Sequence, residues 1–262
     1  MALPLPHPSA TVLITGASSG IGAEFARQLA AAGHGVTLVA RRVERMQELA
    51  DELAPAGVRI EILPCDLTDP AARAGLPARL EELGLRVDML VNNAGFATGG
   101  PFHRSDLEAE LDQVRLLCEA PVDLTRRFLA PMVDRGEGTI VNVTSTAGMQ
   151  PLPHSAGYSA AKAHLLTFTE AVHAEVGRFG VTVTALCPPP VRTELFDKED
   201  HPVERMPGFT WLDADEVVRA ALDGAGRGKR VVVPGALARI YSPVARLTPR
   251  AVQLPLVERF FR

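Results

Sequence analysis

Cysteine is scarce in this chain: Cys65, Cys118 and Cys187 are odd in number and far apart. They offer neither a disulfide framework nor a zinc-binding spacing, and suit a reducing cytoplasm. Basic residues are not in excess, since the net charge is −4, which argues against a nucleic-acid partner. Long apolar runs are missing too: no stretch reaches the roughly 18 residues of a membrane helix. Met1–Ala10 has no Lys or Arg and no apolar core of the signal-peptide kind. The seven histidines are scattered without ligand spacing, so no metal is expected. Together these absences point to a soluble cytoplasmic protein.

What is present is ordinary globular material, 262 residues with 47% apolar and 22% charged. Apolar runs of strand length fall at Thr11–Thr15, Val36–Ala40, Val58–Leu63, Met89–Asn92, Thr139–Val143, Val181–Leu186 and Arg230–Val233. Helical patterns fall between most of them, including Ile21–Ala32, Val43–Leu53, Asp106–Asp134 and Ser155–Phe179. Strands apolar on both faces and separated by helices predict an α/β fold: a doubly wound parallel sheet of about seven strands, helices on both sides. No repeat or linker divides the chain, so residues 1–262 read as one domain. Two regions break the rhythm. The proline-led segment from 188 to about 212 is expected to form a lid over a substrate. The tail 235–262, with five Arg and one Glu, is expected to cap the pocket or meet another subunit. Docking on a membrane is the alternative for this tail, weakened by its prolines.

The turn Thr15-Gly16-Ala17-Ser18-Ser19-Gly20-Ile21-Gly22 lies directly between the first strand and the first helix. Glycines there permit a tight turn, close approach of a pyrophosphate, and packing of the helix on the sheet. The helix N-terminus supplies unpaired N–H groups to anionic oxygens. The spacing is G-x-x-x-G-x-G, and the position at the first strand-to-helix junction points to a dinucleotide. After the second strand comes Arg41-Arg42, where an NAD-binding chain would place a carboxylate. Guanidinium groups there suit the 2′-phosphate of NADP(H), unless they merely open an exposed helix.

Tyr158 and Lys162 stand four residues apart in a helical segment, hence on one face. A phenol near its usual value of about 10 is a poor acid and base at neutral pH. A neighbouring ammonium, together with the cationic nicotinamide of an oxidised cofactor, is expected to lower that value and fit Tyr158 for proton transfer. Ser145 ends a strand thirteen residues earlier and can bring its hydroxyl beside the phenol.

At this point the chain resembles the short-chain dehydrogenase/reductase family in its compact single-domain form, whose fold is of the Rossmann type. The resemblance runs through the turn Thr15–Gly22, Asp66 in Cys-Asp-Leu-Thr-Asp, Asn92-Asn93-Ala94-Gly95, Ser145, Tyr158 with Lys162, and Pro188-Pro189-Pro190-Val191-Arg192-Thr193. It implies that Asp66 and Leu67 contact the adenine and that Asn93, Ala94 and Gly95 line the ribose. Ser145 would bind the substrate oxygen, Lys162 would also hold the nicotinamide ribose, and Val191 and Thr193, after Pro188, would anchor the carboxamide. The expected activity is NADP(H)-dependent interconversion of a carbonyl and a secondary alcohol, with Ser145, Tyr158 and Lys162 catalytic. A homodimer or homotetramer is expected by the same resemblance.

Two departures stand out. Many relatives carry a relay Asn on the helix after the Asn-Asn-Ala-Gly turn, yet no Asn lies between Ala94 and Val141, and Leu117 takes the equivalent position. A relay to Lys162 must then run through backbone or water, or not exist. This keeps open an impaired dinucleotide-binding sensor, against which the intact Ser145, Tyr158 and Lys162 argue. Pro189 replaces the usual Gly and should stiffen the entrance to the cofactor loop. Met149, Leu152, His154, Leu195, Phe196 and Met206 are expected to line the substrate end, and Cys187 to be a packed small hydrophobe.

Overall fold

A computed structural model describes residues 3–194, 203 and 206–261. Seven parallel strands form one sheet: β1 (Ala10–Thr15), β2 (Val36–Ala40), β3 (Ile60–Pro64), β4 (Arg86–Asn92), β5 (Gly138–Val143), β6 (Val181–Leu186) and β7 (Val231–Val232). Their order is β3-β2-β1-β4-β5-β6-β7. Every residue of β1, β2, β5 and β6 is buried, as expected of central strands covered on both faces. The expected seven-stranded doubly wound sheet is therefore present. The order reverses between β1 and β4, and the crevice at such a switch point is where open α/β sheets bind ligands.

The helices divide into two layers. Beneath one face lie α1 (Gly20–Ala31), α2 (Val43–Leu53) and α7 (Ala214–Gly226); α1 turns Phe25 and Leu29, one turn apart, into this core. Burial of two such side chains contributes about 2–3 kcal/mol each. The other face is covered by α3 (Pro70–Glu82), α5 (Ala120–Arg135) and α6 (Ala156–Val176), around Leu76, Leu80, Leu124, Phe128 and Met132. A polar ladder stitches the middle of the sheet: Asn92 Nδ2 donates to Asn142 Oδ1 at 2.8 Å, and Asn142 Nδ2 to Thr169 Oγ1 at 2.9 Å.

The helical stretch expected over Asp106–Asp134 is two helices, α4 (Leu107–Val114) and α5, joined by a π turn at Arg115–Glu119. Within it, Ala120 N–H bonds to Arg115 O, five residues back. Pro121 has no N–H to send to Leu117 O, so one rung of the α-helical ladder is missing beside the π turn. β4 starts three residues earlier than its apolar run suggests. Its opening Arg86-Val87-Asp88 hides a buried charge, with Asp88 held by Arg86 at 2.9 Å and Arg135 at 3.3 Å. Two of the tail's three prolines do not interrupt it: α8 (Ala236–Leu247) and α9 (Arg250–Phe261) run through positions 243 and 255, and the break falls at Thr248-Pro249. A proline forfeits one N–H, and an exposed helix can leave the orphaned carbonyl to water. Among the described residues no helix is long and apolar enough to cross a membrane.

Candidate active site

The carboxyl ends of β1 and β4 open into a cavity of about 970 Å³. The Gly-rich turn forms its floor. Gly16 takes φ +64°, and a Cβ there would meet Ala94 Cα at 2.7 Å, so the turn lies backbone to backbone against the chain leaving β4. A Cβ at Gly22 would stand 2.3 Å from Gly16 O and 2.5 Å from Asn93 Nδ2. Gly22 thus sits beneath the turn and lets α1 close against it. A Cβ on Gly20 would lie 3.1 Å from Thr193 Cβ. The loop after β6 therefore folds down over the turn.

The donor set at this floor fits an anion. Ser19 is the N-cap of α1, no side chain caps the first turn, and no acidic residue lies in it. First-turn N–H groups unshielded by any carboxylate of their own helix lie beside Ser18, Ser19 and Ile21 on the cavity, a donor set that could receive a phosphate. At the end of β2, Arg42 donates to Ser18 Oγ at 3.2 and 3.0 Å and to Ser19 Oγ at 2.7 Å. Arg41 stays exposed, its Nη1 4.0 Å from Asp66 Oδ2. Both arginines do open a helix, as the blander view held, but both also line the cavity. Asp66 Oδ1 accepts from Thr68 N and Oγ1 at 2.9 and 2.8 Å, shaping the turn after β3 and holding the carboxyl below its usual range, although burial opposes this most strongly. Leu67 beside it is anchored from below by Arg73. This buried guanidinium donates to Leu67 O at 2.6 Å, to Asp123 at 3.0 Å and to Glu119.

Asn93 Nδ2 donates to Thr15 O at 2.9 Å and Gly16 O at 3.2 Å, so its amide stitches β4 to the turn. Ala94 and Gly95 follow along the cavity wall, as do Pro188 and Val191 opposite them. Thr193 Oγ1 donates to Val191 O at 3.4 Å.

β5 leads into the Ser145, Tyr158 and Lys162 cluster. Ser145 begins a short 3-10 turn (Thr146–Met149), its Oγ accepting from Ala147 N at 3.1 Å and sharing a hydrogen bond with Tyr158. Tyr158 and Lys162 lie one turn apart on α6, both buried. Lys162 Nζ donates to Val143 O at 2.8 Å and lies 5.6 Å from the Tyr158 ring centroid. Burial pushes the Tyr158 phenol up to about 12, against the pull of its Ser145 bond. Burial likewise pushes Lys162 down to about 8, with the thiols of Cys118 and Cys187 drawing it the other way. Without a cofactor beside it the phenol is thus set by burial and its Ser145 bond, while the Lys162 ammonium is turned toward Val143 O.

Leu117 is fully buried in the π turn, packed with Ala97, Tyr158 and Ala161. A Cβ on Gly95 would touch Leu117 Cδ2 at 2.9 Å and Lys162 Nζ at 3.9 Å. Leu117 thus fills space beside the lysine with hydrocarbon. Cys187 is buried as expected, 2.9 Å from Thr144 Oγ1.

Of the residues expected at the substrate end, Leu152 and Met206 line the cavity. Met149 instead packs with Leu166, Ala185 and Cys187. His154 lies off the cavity in the left-handed region at φ +64°, its carbonyl accepting from Gly100 N at 2.8 Å. Leu195 and Phe196 fall outside the described residues. Sequence reasoning missed Gln150, which lines this wall with Tyr241, Leu256 and Val257 of the tail expected to cap the pocket. Gln150 Oε1 accepts from buried Gln253 Nε2 at 2.9 Å, joining the loop after Ser145 to α9. A polar pair 103 residues apart carries no local sequence signal.

A Rossmann-type sheet with a glycine turn at its switch point, facing a Ser–Tyr–Lys cluster, defines a dinucleotide-dependent class of protein. The family model described as short chain dehydrogenase matches residues 10–204. A Streptomyces coelicolor protein provisionally named a ketoacyl reductase is 40% identical over 190 residues, covering 71% of this chain and 72% of its own. Among solved structures, a short-chain dehydrogenase from Sphingobium yanoikuyae in complex with NADPH is 35% identical, with a TM-score of 0.81 and 95% of each chain covered. A bulky-bulky ketone specific alcohol dehydrogenase from Comamonas testosteroni is 32% identical with a TM-score of 0.78, covering 96% of this chain and 95% of its own. The chain belongs to the short-chain dehydrogenase/reductase family of oxidoreductases.

Proposed function

We propose that this protein is an NADP(H)-dependent reductase of a bulky, partly apolar ketone, with Tyr158 as the proton donor. The observation that carries the reading is that one cavity joins Arg41 and Arg42 to Ser145, Tyr158 and Lys162. In the sheet, β2 and β5 are separated by β1 and β4. Three strand spacings set the two groups about 14 Å apart, a span suited to an extended dinucleotide.

NADPH, when bound, supplies the hydride. The first turn of α1 would receive the pyrophosphate, with the arginines at the 2′-phosphate. Asp66 and Leu67 would flank the adenine, and Ala94 and Gly95 the ribose. Val191 and Thr193 would hold the carboxamide, and Lys162 the nicotinamide ribose. Ser145 and Tyr158 hydroxyls would grip the carbonyl oxygen, polarising it as hydride arrives. Tyr158 then gives its proton to the nascent alkoxide. A phenol raised to about 12 is fully protonated at neutral pH, the form that reduction requires. The α8–α9 cap and the described part of the 188–212 segment would bound the substrate, consistent with the apolar Leu152, Met206, Leu256 and Val257 along the wall. The ketone-specific relative from Comamonas testosteroni supports a bulky carbonyl as the substrate class.

The test is a panel of bulky ketones with NADPH and NADH side by side, on wild type and an Arg41→Ala/Arg42→Ala double variant. NADPH should be preferred, and the double variant should lose that preference while keeping its NADH rate. Preference for NADH by the wild type would overturn the assignment.

A further inference from the structure

Arg42 does not wait at the cavity mouth with its donors idle. While Nε and Nη2 hold Ser18 and Ser19, Nη1 donates to Glu194 Oε2 at 3.0 Å. Arg45 Nη2 approaches the other carboxylate oxygen of Glu194 at 3.9 Å. Glu194 follows Thr193, on the loop folded over Gly20, and lines the same cavity. Two guanidinium groups and the Ser19 hydroxyl therefore converge on one carboxylate, supplied from 152 residues along the chain.

Anion recognition explains what such a cluster would otherwise hold. A phosphate monoester carries close to two negative charges at neutral pH and offers three acceptor oxygens, whereas a carboxylate carries one charge and two oxygens. The guanidinium fork suits both, and a phosphate seated on Arg42 beside Glu194 would face a like charge at hydrogen-bonding range. Resting on the NADP(H) reading above, we propose that Glu194 is an internal stand-in for the 2′-phosphate, a specificity residue that the phosphate must displace from Arg42. NADH has no such phosphate and leaves the Arg42–Glu194 pair intact, so the cost of displacement falls on NADP(H) alone. Glu194 thereby sets an upper limit on NADP(H) affinity and favours release of the spent cofactor, while holding Arg42 in position between turnovers.

Binding measurements on Glu194→Gln test this without turnover. NADPH, NADH and adenosine 2′-monophosphate are titrated against wild type and variant at low and high salt. The amide keeps the shape of the side chain and removes its charge. Because the pair is about half exposed, NADPH and adenosine 2′-monophosphate should bind the variant about two- to fivefold more tightly, the range for screened ion pairs. The NADH affinity should not change, and the gain should shrink as salt rises. NADPH binding that is unchanged or weaker in the variant would overturn the proposal, as would equal shifts for NADPH and NADH. A wild type that shows no preference for NADPH over NADH would instead remove the underlying reading, and this inference with it.

Discussion

Replacing Lys162 by Met should change how stability depends on pH, and the size of the effect follows from burial. The Lys162 ammonium is pushed from an ordinary 10.5 down to about 8 in the folded protein. At pH 7 it is protonated in both the folded and unfolded chain, so the fold carries the full cost of the buried charge, about 3 kcal/mol at ~1.4 kcal/mol per tenfold change in proton affinity. As pH rises through 8 the folded protein releases this proton before the unfolded chain does. The unfolded state then binds more protons, and stability rises with pH. Between pH 7 and 9.5 that rise amounts to about 2 kcal/mol. Tyr158, raised to about 12, acts in the opposite sense, but only once pH passes the ordinary phenol value of 10, above this window. Met keeps the bulk of the side chain and removes the charge, while leaving Val143 O without its 2.8 Å donor at a cost of about 1–3 kcal/mol. The two effects partly cancel at pH 7, so the slope is the informative quantity. Urea denaturation of both proteins at several pH values, with wild type minus variant taken at each, cancels every other titrating group. The difference should shift by about 2 kcal/mol in favour of wild type by pH 9.5. Parallel curves would refute the claim that Lys162 bears a buried, destabilised charge.

Arg73→Met should cost about 3 kcal/mol in urea denaturation, because it strips a buried partner from Asp123, Glu119 and Leu67 O together; a loss below ~1 kcal/mol would show the network to be idle. Gly22→Ala forces a Cβ to 2.3 Å from Gly16 O, a backbone atom that cannot turn aside. It should destabilise by about 2–3 kcal/mol and weaken dinucleotide binding, and unaltered values for both would mean that α1 does not close on the turn as described. Leu117→Asn places an amide among Ala97, Tyr158 and Ala161. It should lose about 2–4 kcal/mol of stability without gaining turnover, and a faster enzyme would show that the missing relay amide limits the reaction.

Much of the fold was legible because its signals are local. β2, α2 and β6 have the ends that their apolar runs predict, since strand and helix periods are set by adjacent residues. The glycine turn and the Tyr158–Lys162 pair were legible for the same reason, being short motifs at a strand end and on one helix face. What escaped was set by distant partners. Buried Arg73 and Asp88 look like surface charges until their partners from other elements are known. Met149 and Leu152 are three residues apart and similar in character, yet only Leu152 reaches the cavity, because the 3-10 turn sends Met149 into the core. The Gln150–Gln253 link likewise exists only once α9 has docked. Pro121 removes a rung of the helical ladder beside Leu117, but Pro77 and Pro131 sit inside intact helices, so a proline alone does not mark the π turn.

The central claim is that Tyr158 donates the proton in an NADPH-driven ketone reduction. Its most direct test is NADPH consumption with a responsive bulky ketone, compared between wild type and Tyr158→Phe, with cofactor affinity measured in parallel. Phe keeps the ring and removes only the hydroxyl that meets Ser145. Turnover should fall by about a hundredfold or more while NADPH binding is retained. A Tyr158→Phe protein that reduces the ketone at the wild-type rate would contradict the account.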